Sequence, residues 1–181
     1  MKKILIIIAT ILTVLFVTSA CTNSDQSSVE QKGGSSEGNE ATTPSDKNRE
    51  RVQEFLEHEF NGPSEKTEEI YREGTTEELR NYVEETYKPY FNEKGYEDIT
   101  QLQKASMYIW EASRSGYELN ATDINMDKDE ENNAYAFEVD VEFSKDGETN
   151  ATTVKGRINL DEDGKFSFLR YSDRGGLLES M

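Results

Sequence analysis

The feature that most restricts the fold of this chain is an unbroken alternation of apolar and polar side chains over residues 135–143. The apolar positions are Tyr135, Phe137, Val139, Val141 and Phe143, and between them stand Ala136, Glu138, Asp140 and Glu142. Successive side chains of a strand point to opposite faces, so the pattern predicts an antiparallel strand with one buried and one wet face. Such a strand needs partner strands and a second layer that covers its apolar face.

Shorter alternating segments predict the remaining strands. The apolar register changes near Thr122-Asp123, so we expect a bulge in a first strand there. Asp146-Gly147 and Asp163-Gly164 predict hairpin turns, and residues 127–133 predict a further polar turn. The expected strands are 117–126, 135–143, 149–160 and 165–171, the last with Phe166 and Phe168 inward. The tail after Ser172 has no pattern that predicts an element.

Helical periodicity marks the residues before these strands. Val52, Phe55, Leu56 and Phe60 predict a helix over residues 47–60. Three more helices are predicted: residues 64–72, Thr75 (capped with Glu78) to near Pro89, and Asp98 to Gly116. The last is expected to bury Ile99, Leu102, Ala105 and Ile109. Helices followed by about four antiparallel strands indicate an α+β fold, with the helices packed on a curled sheet.

This order of elements resembles the nuclear transport factor 2-like fold, including lipoproteins of Gram-positive bacteria that have it. The resemblance covers about residues 48–171, and its residues run from Tyr117-Glu-Leu-Asn-Ala-Thr-Asp to Phe166-Ser-Phe-Leu-Arg-Tyr. It implies a curled sheet around helices and a conical pocket between them. Enzymes of this fold, such as ketosteroid-isomerase-like members, place acid and base groups inside that pocket. A cystatin-like or other helix-on-sheet arrangement is the alternative.

The N-terminus has the three parts of an export signal. Lys2-Lys3 precedes an apolar run over residues 4–17, and Thr18-Ser19-Ala20 leads into Cys21. The run is shorter than the ~20 residues of a membrane-spanning helix. Its end resembles the bacterial lipobox, although Thr18 stands where Leu is commonest, and this resemblance implies cleavage before Cys21 and acylation of its thiol. The alternative is an ordinary signal peptide with an incidental cysteine.

Cleavage at this position divides the chain into three parts. We expect a signal peptide over residues 1–20, a lipidated cysteine and flexible tether over 21–47, and a single domain over 48–181. Cys21 is the only cysteine, so no intramolecular disulfide can form. An acylated Cys21 would hold the domain on the outer face of the cytoplasmic membrane.

The charge of the chain restricts its partners. The formal net charge is −17, and loss of the two signal lysines makes it −19. Such a charge argues against nucleic acid, which binds proteins through phosphate neutralisation, and against a domain that lies flat on anionic lipid. A basic partner protein or divalent cations remain open, and the sequence does not predict an oligomeric state.

Few residues in the domain predict catalysis or a cofactor. His58 is the only histidine, and we expect it to be a solvated surface residue. Acidic segments at 127–132 and 161–164 have calcium-like composition but not the ligand spacing, and turn formation explains them. We therefore predict no enzyme, no metal and no cofactor.

Two sets of residues are candidates for binding. Aromatic side chains on the later helices could line a pocket: Tyr82, Tyr90, Tyr108 and Trp110. The wet face of the long strand could meet a protein partner through Glu138, Asp140 and Glu142. Three functions stay open. We favour a non-catalytic, membrane-anchored binding or accessory module of the cell envelope, and the alternatives are a small-molecule-binding lipoprotein and an isomerase-like enzyme. A buried carboxylate with a raised pKa inside that pocket would favour the last.

Overall fold

The computed structural model describes the backbone of residues 44–181 and the side chains of residues 47–172 and 174–181. The predicted signal peptide, Cys21 and most of the predicted tether lie outside these residues. In chain order the elements are α1 (Pro44–Phe60), α2 (Glu65–Glu73), α3 (Thr76–Tyr87), α4 (Glu93–Gln101), α5 (Met107–Ser115), β1 (Glu118–Asp129), β2 (Ala134–Lys145), β3 (Glu148–Leu160), β4 (Phe166–Asp173) and α6 (Leu177–Ser180). The α+β order of helices before an antiparallel sheet is confirmed. Within this part of the chain no helix combines the length and apolarity needed to cross a membrane.

Helix α1 supplies the centre of the core. Its predicted apolar stripe is confirmed, because each of the four side chains is at most 1 % exposed: Val52, Phe55, Leu56 and Phe60. The helix begins at Pro44, three residues before the predicted start at Lys47, so the folded domain begins within the predicted tether. Asn61-Gly62-Pro63 follows its end, as expected.

Two short helices follow, and side-chain caps set where each begins. The Ser64 side chain accepts from the Thr67 backbone N–H at the start of α2. At α3 the Thr75 hydroxyl accepts from the Glu78 N–H at 3.2 Å, and the Glu78 carboxylate accepts from the Thr75 N–H at 2.7 Å. This reciprocal pair is the capping box that the sequence predicts. Helix α3 ends at Tyr87, two residues before Pro89.

The predicted single helix from Asp98 to Gly116 is wrong. Helix α4 begins earlier, because the Asn92 side chain caps it by accepting from the Gly95 N–H at 2.9 Å. The backbone then breaks, with positive φ at Gln103 (50°) and Ser106 (57°), before α5 begins. Leu102, expected in the core, is 61 % exposed. The predicted stop at Gly116 is confirmed, since that residue caps α5 with a φ of 76°.

The four strands form an antiparallel meander in the order β1-β2-β3-β4. Along β2 buried and exposed residues alternate, which confirms the predicted faces of this strand. The bulge in β1 is also confirmed, because its pairing with β2 shifts register between Ala121 and Asp123. Asp146 and Gly147 have φ values of 54° and 86°, as a type I′ hairpin turn requires.

Two predictions for the sheet need correction. Strand β1 continues to Asp129, so the turn occupies residues 130–133 rather than 127–133. In β4, Phe166 is fully buried but Phe168 is 41 % exposed. The pairing with β3 shifts register after Asn159, and this irregularity turns Phe168 outward and Leu169 inward.

The helices cover the inner face of the sheet, and the core lies between the two layers. Inward side chains of the strands, among them Val139, Val154 and Ile158, form one buried cluster with the apolar stripe of α1. The tail that the sequence did not place joins this cluster, because Leu177 of α6 is fully buried. The Thr152 hydroxyl donates to the Gly175 carbonyl at 2.7 Å and so ties the tail to β3.

Candidate functional site

A cleft among the helices is the feature best suited to bind a ligand. It has a volume of about 530 Å³ and opens to solvent. Its walls come from α2, α3, α4, α5, the segment between α4 and α5, and α6. Most of the lining is apolar or aromatic: Tyr71, Leu79, Val83, Tyr96, Ile99, Ala105, Met107, Trp110 and Leu178. A largely apolar concave site of this size suits a small molecule.

Helical spacing places these side chains together. On α3 the cleft residues are Thr76, Leu79, Arg80 and Val83, which recur at the three- and four-residue intervals of one helix face. On α4 they are Tyr96, Ile99 and Thr100, and on α5 they are Met107, Trp110 and Glu111. The irregular segment between these two helices adds Gln103, Ala105 and Ser106. The three helices α3, α4 and α5 therefore each turn one face toward the cleft.

The two charged residues that line the cleft, Glu111 and Arg80, differ in whether they have a partner. Both Glu111 oxygens accept from Arg114, at 3.1 and 3.2 Å, and one also accepts from the Ser115 hydroxyl at 2.8 Å. Arg114 lies over the Trp110 ring, 5.0 Å from its centroid. Arg80, in contrast, has no hydrogen bond or ion pair with any residue that the structure describes.

Behind one wall of the cleft lies a fully buried carboxylate, Glu59, which is 1 % exposed. Its two oxygens accept from the Ser106 backbone N–H at 3.2 Å and from the Tyr171 hydroxyl at 2.9 Å. The Tyr87 hydroxyl also stabilises the charged form, although its geometry falls short of a regular hydrogen bond. Burial outweighs these contacts and raises the pKa of Glu59 to about 7.

Glu59 also explains the break between α4 and α5. The Ser106 N–H, which a continuous helix would direct at a carbonyl four residues back, donates instead to this carboxylate. The Ser106 backbone N–H donates to Glu59, and Ser106 also lines the cleft. Ser106 therefore lies between the buried carboxylate and the cleft. Glu59 itself does not line the cleft, which means that a bound molecule would not touch it.

The four aromatic residues proposed to line one pocket do not share a cavity. Trp110 lines the cleft and is 41 % exposed. Tyr82 lines a different groove, of about 470 Å³ between α2 and α3, with an acidic rim. Tyr108 is fully buried in the core, and Tyr90 stacks on Phe166 with ring centroids 5.8 Å apart.

The three carboxylates of the wet face are exposed on β2, as predicted. Glu138 forms an ion pair with Lys155 at 2.7 Å, and Asp140 accepts from the Thr153 hydroxyl at 2.6 Å. Two of the three are therefore engaged within the sheet, while Glu142 extends from the same face.

His58 is exposed, in line with the prediction, but it is not fully solvated. Its ring meets the edge of the Tyr87 ring at 5.8 Å, and Nε2 lies 3.5 Å from the Tyr82 hydroxyl. Partial burial lowers the pKa of His58, and the charge of Glu54 opposes this shift. No nucleophile adjoins it, and among residues 44–181 no three His, Cys, Asp or Glu side chains are grouped to hold a metal ion.

Comparisons with known proteins add little to this geometry. No protein-family model matches the chain, and a search of curated proteins found no match. Among solved structures, one that matches is a 1.50 Å crystal structure from Xanthomonas campestris pv. campestris, provisionally named a polyketide cyclase. It is 10% identical, with a TM-score of 0.36, and the match covers 68% of this chain and 90% of that chain. A likeness this weak carries no function across, so the function is argued from the residues of this chain.

Proposed function

We propose that the domain is a non-catalytic binding module, and that its ligand is a small, mainly apolar molecule held in the cleft. The observation that supports this most directly is the cleft itself, a space of about 530 Å³ with aromatic and aliphatic walls. Apolar walls on this scale cost free energy when they face water, and a ligand that covers them recovers it. This is the second of the three functions that the sequence leaves open.

Binding is favoured over catalysis because of where the titratable groups lie. Glu59 has the raised pKa expected of a general acid or base, but its oxygens face Ser106 and Tyr171 rather than the cleft. A general acid or base must reach the reacting atom within hydrogen-bonding distance, directly or through one water. Glu111, the carboxylate that lines the cleft, is paired with Arg114, and the carboxylates of the other groove, on α2 and α3, are exposed. The absence of catalysis stays a prediction.

The protein-partner function through β2 has less support from the geometry. Glu138 and Asp140 already have partners on the neighbouring strand, and exposed ion pairs contribute little to binding free energy. The wet face of β2 is polar apart from Ala136, whereas the cleft leaves apolar surface uncovered.

A pair of leucine variants tests the cleft. Leu79 lines it, whereas Leu102 is exposed on the connecting segment outside it. The neutral fluorophore N-phenyl-1-naphthylamine should bind the wild type and accept energy from Trp110, the only tryptophan of the chain. Leu79→Arg should weaken this binding about tenfold or more, because a charged side chain enters the apolar wall. Leu102→Arg, the matched control, should bind as the wild type does, and equal loss in both variants would count against the cleft.

We further propose that the domain is anchored to the outer face of the cytoplasmic membrane through lipid on Cys21, and that its fold is nuclear transport factor 2-like. The lipobox-like residues before Cys21 support the anchor. Two features support the fold. Helices lie on the inner face of a four-stranded meander, and register shifts in the outer strand pairings allow the sheet to curl.

Metabolic labelling tests the anchor. Cells that express the wild type should incorporate radioactive fatty acid into the chain and retain it in the membrane fraction. Cys21→Ser removes the acylated thiol, so the label should be lost and the protein released or left unprocessed. A mutant that still takes up label and stays in the membrane would show that Cys21 is not the anchor.

A further inference from the structure

We propose that the ligand of the cleft is an anionic amphiphile, a carboxylate whose head meets Arg80 and whose apolar body packs on the Trp110 side of the cleft. This inference rests on the proposed function, and it adds the chemical class of the ligand. Three observations support it. Arg80 has no partner in the described chain, cations of the protein already lie over two aromatic rings of the cleft, and the cleft has room for an apolar body.

Arg80 is a cation in the lining without an internal partner. In a chain of net charge −17, with acidic side chains at many positions, Arg80 is bound to no carboxylate within the part of the chain that the structure describes. The other charged residue of the lining, Glu111, is neutralised by Arg114. Among the residues that line the cleft, the charge without a partner in the described chain is therefore the positive charge of Arg80, an exposed side chain. A guanidinium group fits a carboxylate through two parallel hydrogen bonds, which makes a carboxylate its natural partner.

Two of the three aromatic residues that line the cleft, Tyr96 and Trp110, argue against a cationic ligand, while the third, Tyr71, meets the edge of the Tyr82 ring. Arg114 lies over the Trp110 ring at 5.0 Å, and Lys88 lies over the Tyr96 ring at 5.8 Å. A ring face attracts one cation at close range, and these rings already have cations of the protein itself. Their free surfaces remain available for apolar contact, which suits the hydrocarbon part of an amphiphile.

The volume of the cleft is large enough for an apolar body of moderate size. At ~30 Å³ for each water of the liquid, 530 Å³ corresponds to about 18 water molecules. A ligand with a comparable number of non-hydrogen atoms would fill the space, and a medium- to long-chain carboxylate or a compact ring acid is of that size. Thr76, one turn before Arg80 on the same face of α3, adds a hydroxyl beside the head.

Titrations with three probes that differ in the head group test the inference. Dodecanoate, dodecanol and dodecylammonium, each below its aggregation limit, are added to the chain of residues 21–181 with Cys21→Ser, which needs no detergent. Trp110 fluorescence reports binding, since this residue lines the cleft. We expect dodecanoate to bind about tenfold more tightly than dodecanol, and dodecylammonium to bind least, because only the carboxylate pairs with Arg80.

Arg80→Gln should lower the affinity for dodecanoate about tenfold, to the level of dodecanol, so that the advantage of the carboxylate over the alcohol is lost. Arg72→Gln is the matched control, because Arg72 is an exposed helical arginine outside the cleft and likewise unpaired within the described chain. It should retain the full advantage. The advantage should also decrease as salt increases, as expected for a partly exposed ion pair.

Other outcomes distinguish a failure of the proposed anionic head group from a failure of the cleft as a binding site. Equal affinity for all three probes, preference for dodecylammonium, or equal loss in Arg72→Gln would overturn the anionic head and leave the cleft as an apolar site. Arg80-dependent binding to phosphatidylglycerol vesicles without binding of dodecanoate would assign the arginine to a membrane lipid and overturn the soluble ligand. No response of Trp110 to any probe, with no binding of the neutral fluorophore, would overturn the proposed function itself.

Discussion

Glu59 shows how one buried charge can shape the structure around it. Its carboxylate joins α1 to the start of α5 and to β4, through the Ser106 N–H and the Tyr171 hydroxyl. The titratable groups coupled to it are tyrosines, and burial raises the pKa of Tyr71, Tyr87 and Tyr171, and of Tyr82 to about 12. Between pH 4 and 8 these tyrosines stay neutral, so Glu59 is the member of the cluster that titrates.

The stability of the domain should therefore contain a contribution from Glu59 that depends on pH. Its pKa is about 7 in the folded protein and near 4.5 in the unfolded chain, so the folded state binds the proton more strongly between these values. This contribution is fully present below pH 4.5 and is lost as the pH rises through 7. The shift corresponds to about 3 kcal/mol as an upper figure.

Glu59→Gln tests this directly, because glutamine imitates the protonated carboxyl and does not titrate. In urea unfolding followed by Trp110 fluorescence, the free energy of unfolding of the wild type relative to Glu59→Gln should fall between pH 4.5 and 7. Glu57→Gln, an exposed neighbour on the same helix, is the control and should show no such trend relative to the wild type. A wild-type to Glu59→Gln difference that is constant over this range would contradict the raised pKa.

The sequence contains a signal that places Glu59 in the core. Residues 52, 55, 56 and 59 recur at helical intervals, so Glu59 lies on the apolar stripe of α1. His58, the only histidine, stands next to Glu59 on this helix and is exposed. The partners of Glu59 are 47 and 112 residues away, and no local pattern predicts such contacts.

The strands are the elements that the sequence predicts best. Buried and exposed side chains alternate along a strand, and this alternation can be seen in the strand's own residues. Val139, expected inward on β2, is fully buried, and its neighbours Glu138 and Asp140 are exposed. In contrast, the outward turn of Phe168 depends on how β4 pairs with β3, and a register shift between strands is not encoded in either strand alone.

The faces of β2 allow a matched pair of substitutions. Val139→Asp places an unpaired charge in the core and should lower the free energy of unfolding by about 4 kcal/mol or unfold the domain. Ala136→Asp makes a carboxylate on the wet face of the same strand and should change it by less than about 1 kcal/mol. Thermal unfolding followed by circular dichroism measures both, and similar melting temperatures in the two variants would contradict the faces.

The helices were predicted less well where the chain bends without glycine or proline. Gln103 and Ser106 adopt positive φ values, which non-glycine residues rarely do, and neither residue type predicts this. The bend between α4 and α5 exists because tertiary contacts hold it, above all the bond from Ser106 to Glu59. The bend turns Gln103, Ala105 and Ser106 toward the cleft, so the part of the fold that the sequence predicts worst is part of the candidate site.

At the scale of the whole molecule, the cleft forms only when the helices and the C-terminal tail pack together. Its walls come from five helices and one irregular segment, and α6 contributes Leu178 from a tail that the sequence did not place. The sequence predicts the helices and the sheet separately, and it predicts Trp110 as a binding residue. It cannot predict that Tyr82, Tyr90 and Tyr108 lie elsewhere, because their environments depend on how the helices pack.

The central claim is that the cleft, and not the wet face of the sheet, binds the ligand. The most direct measurement is a map of backbone amide chemical shifts during titration with N-phenyl-1-naphthylamine. We predict changes that cluster at cleft residues on separate elements, such as Val83, Ile99, Met107 and Leu178. Changes confined to the outer face around Glu138 and Glu142, or no changes at saturating probe, would contradict the claim.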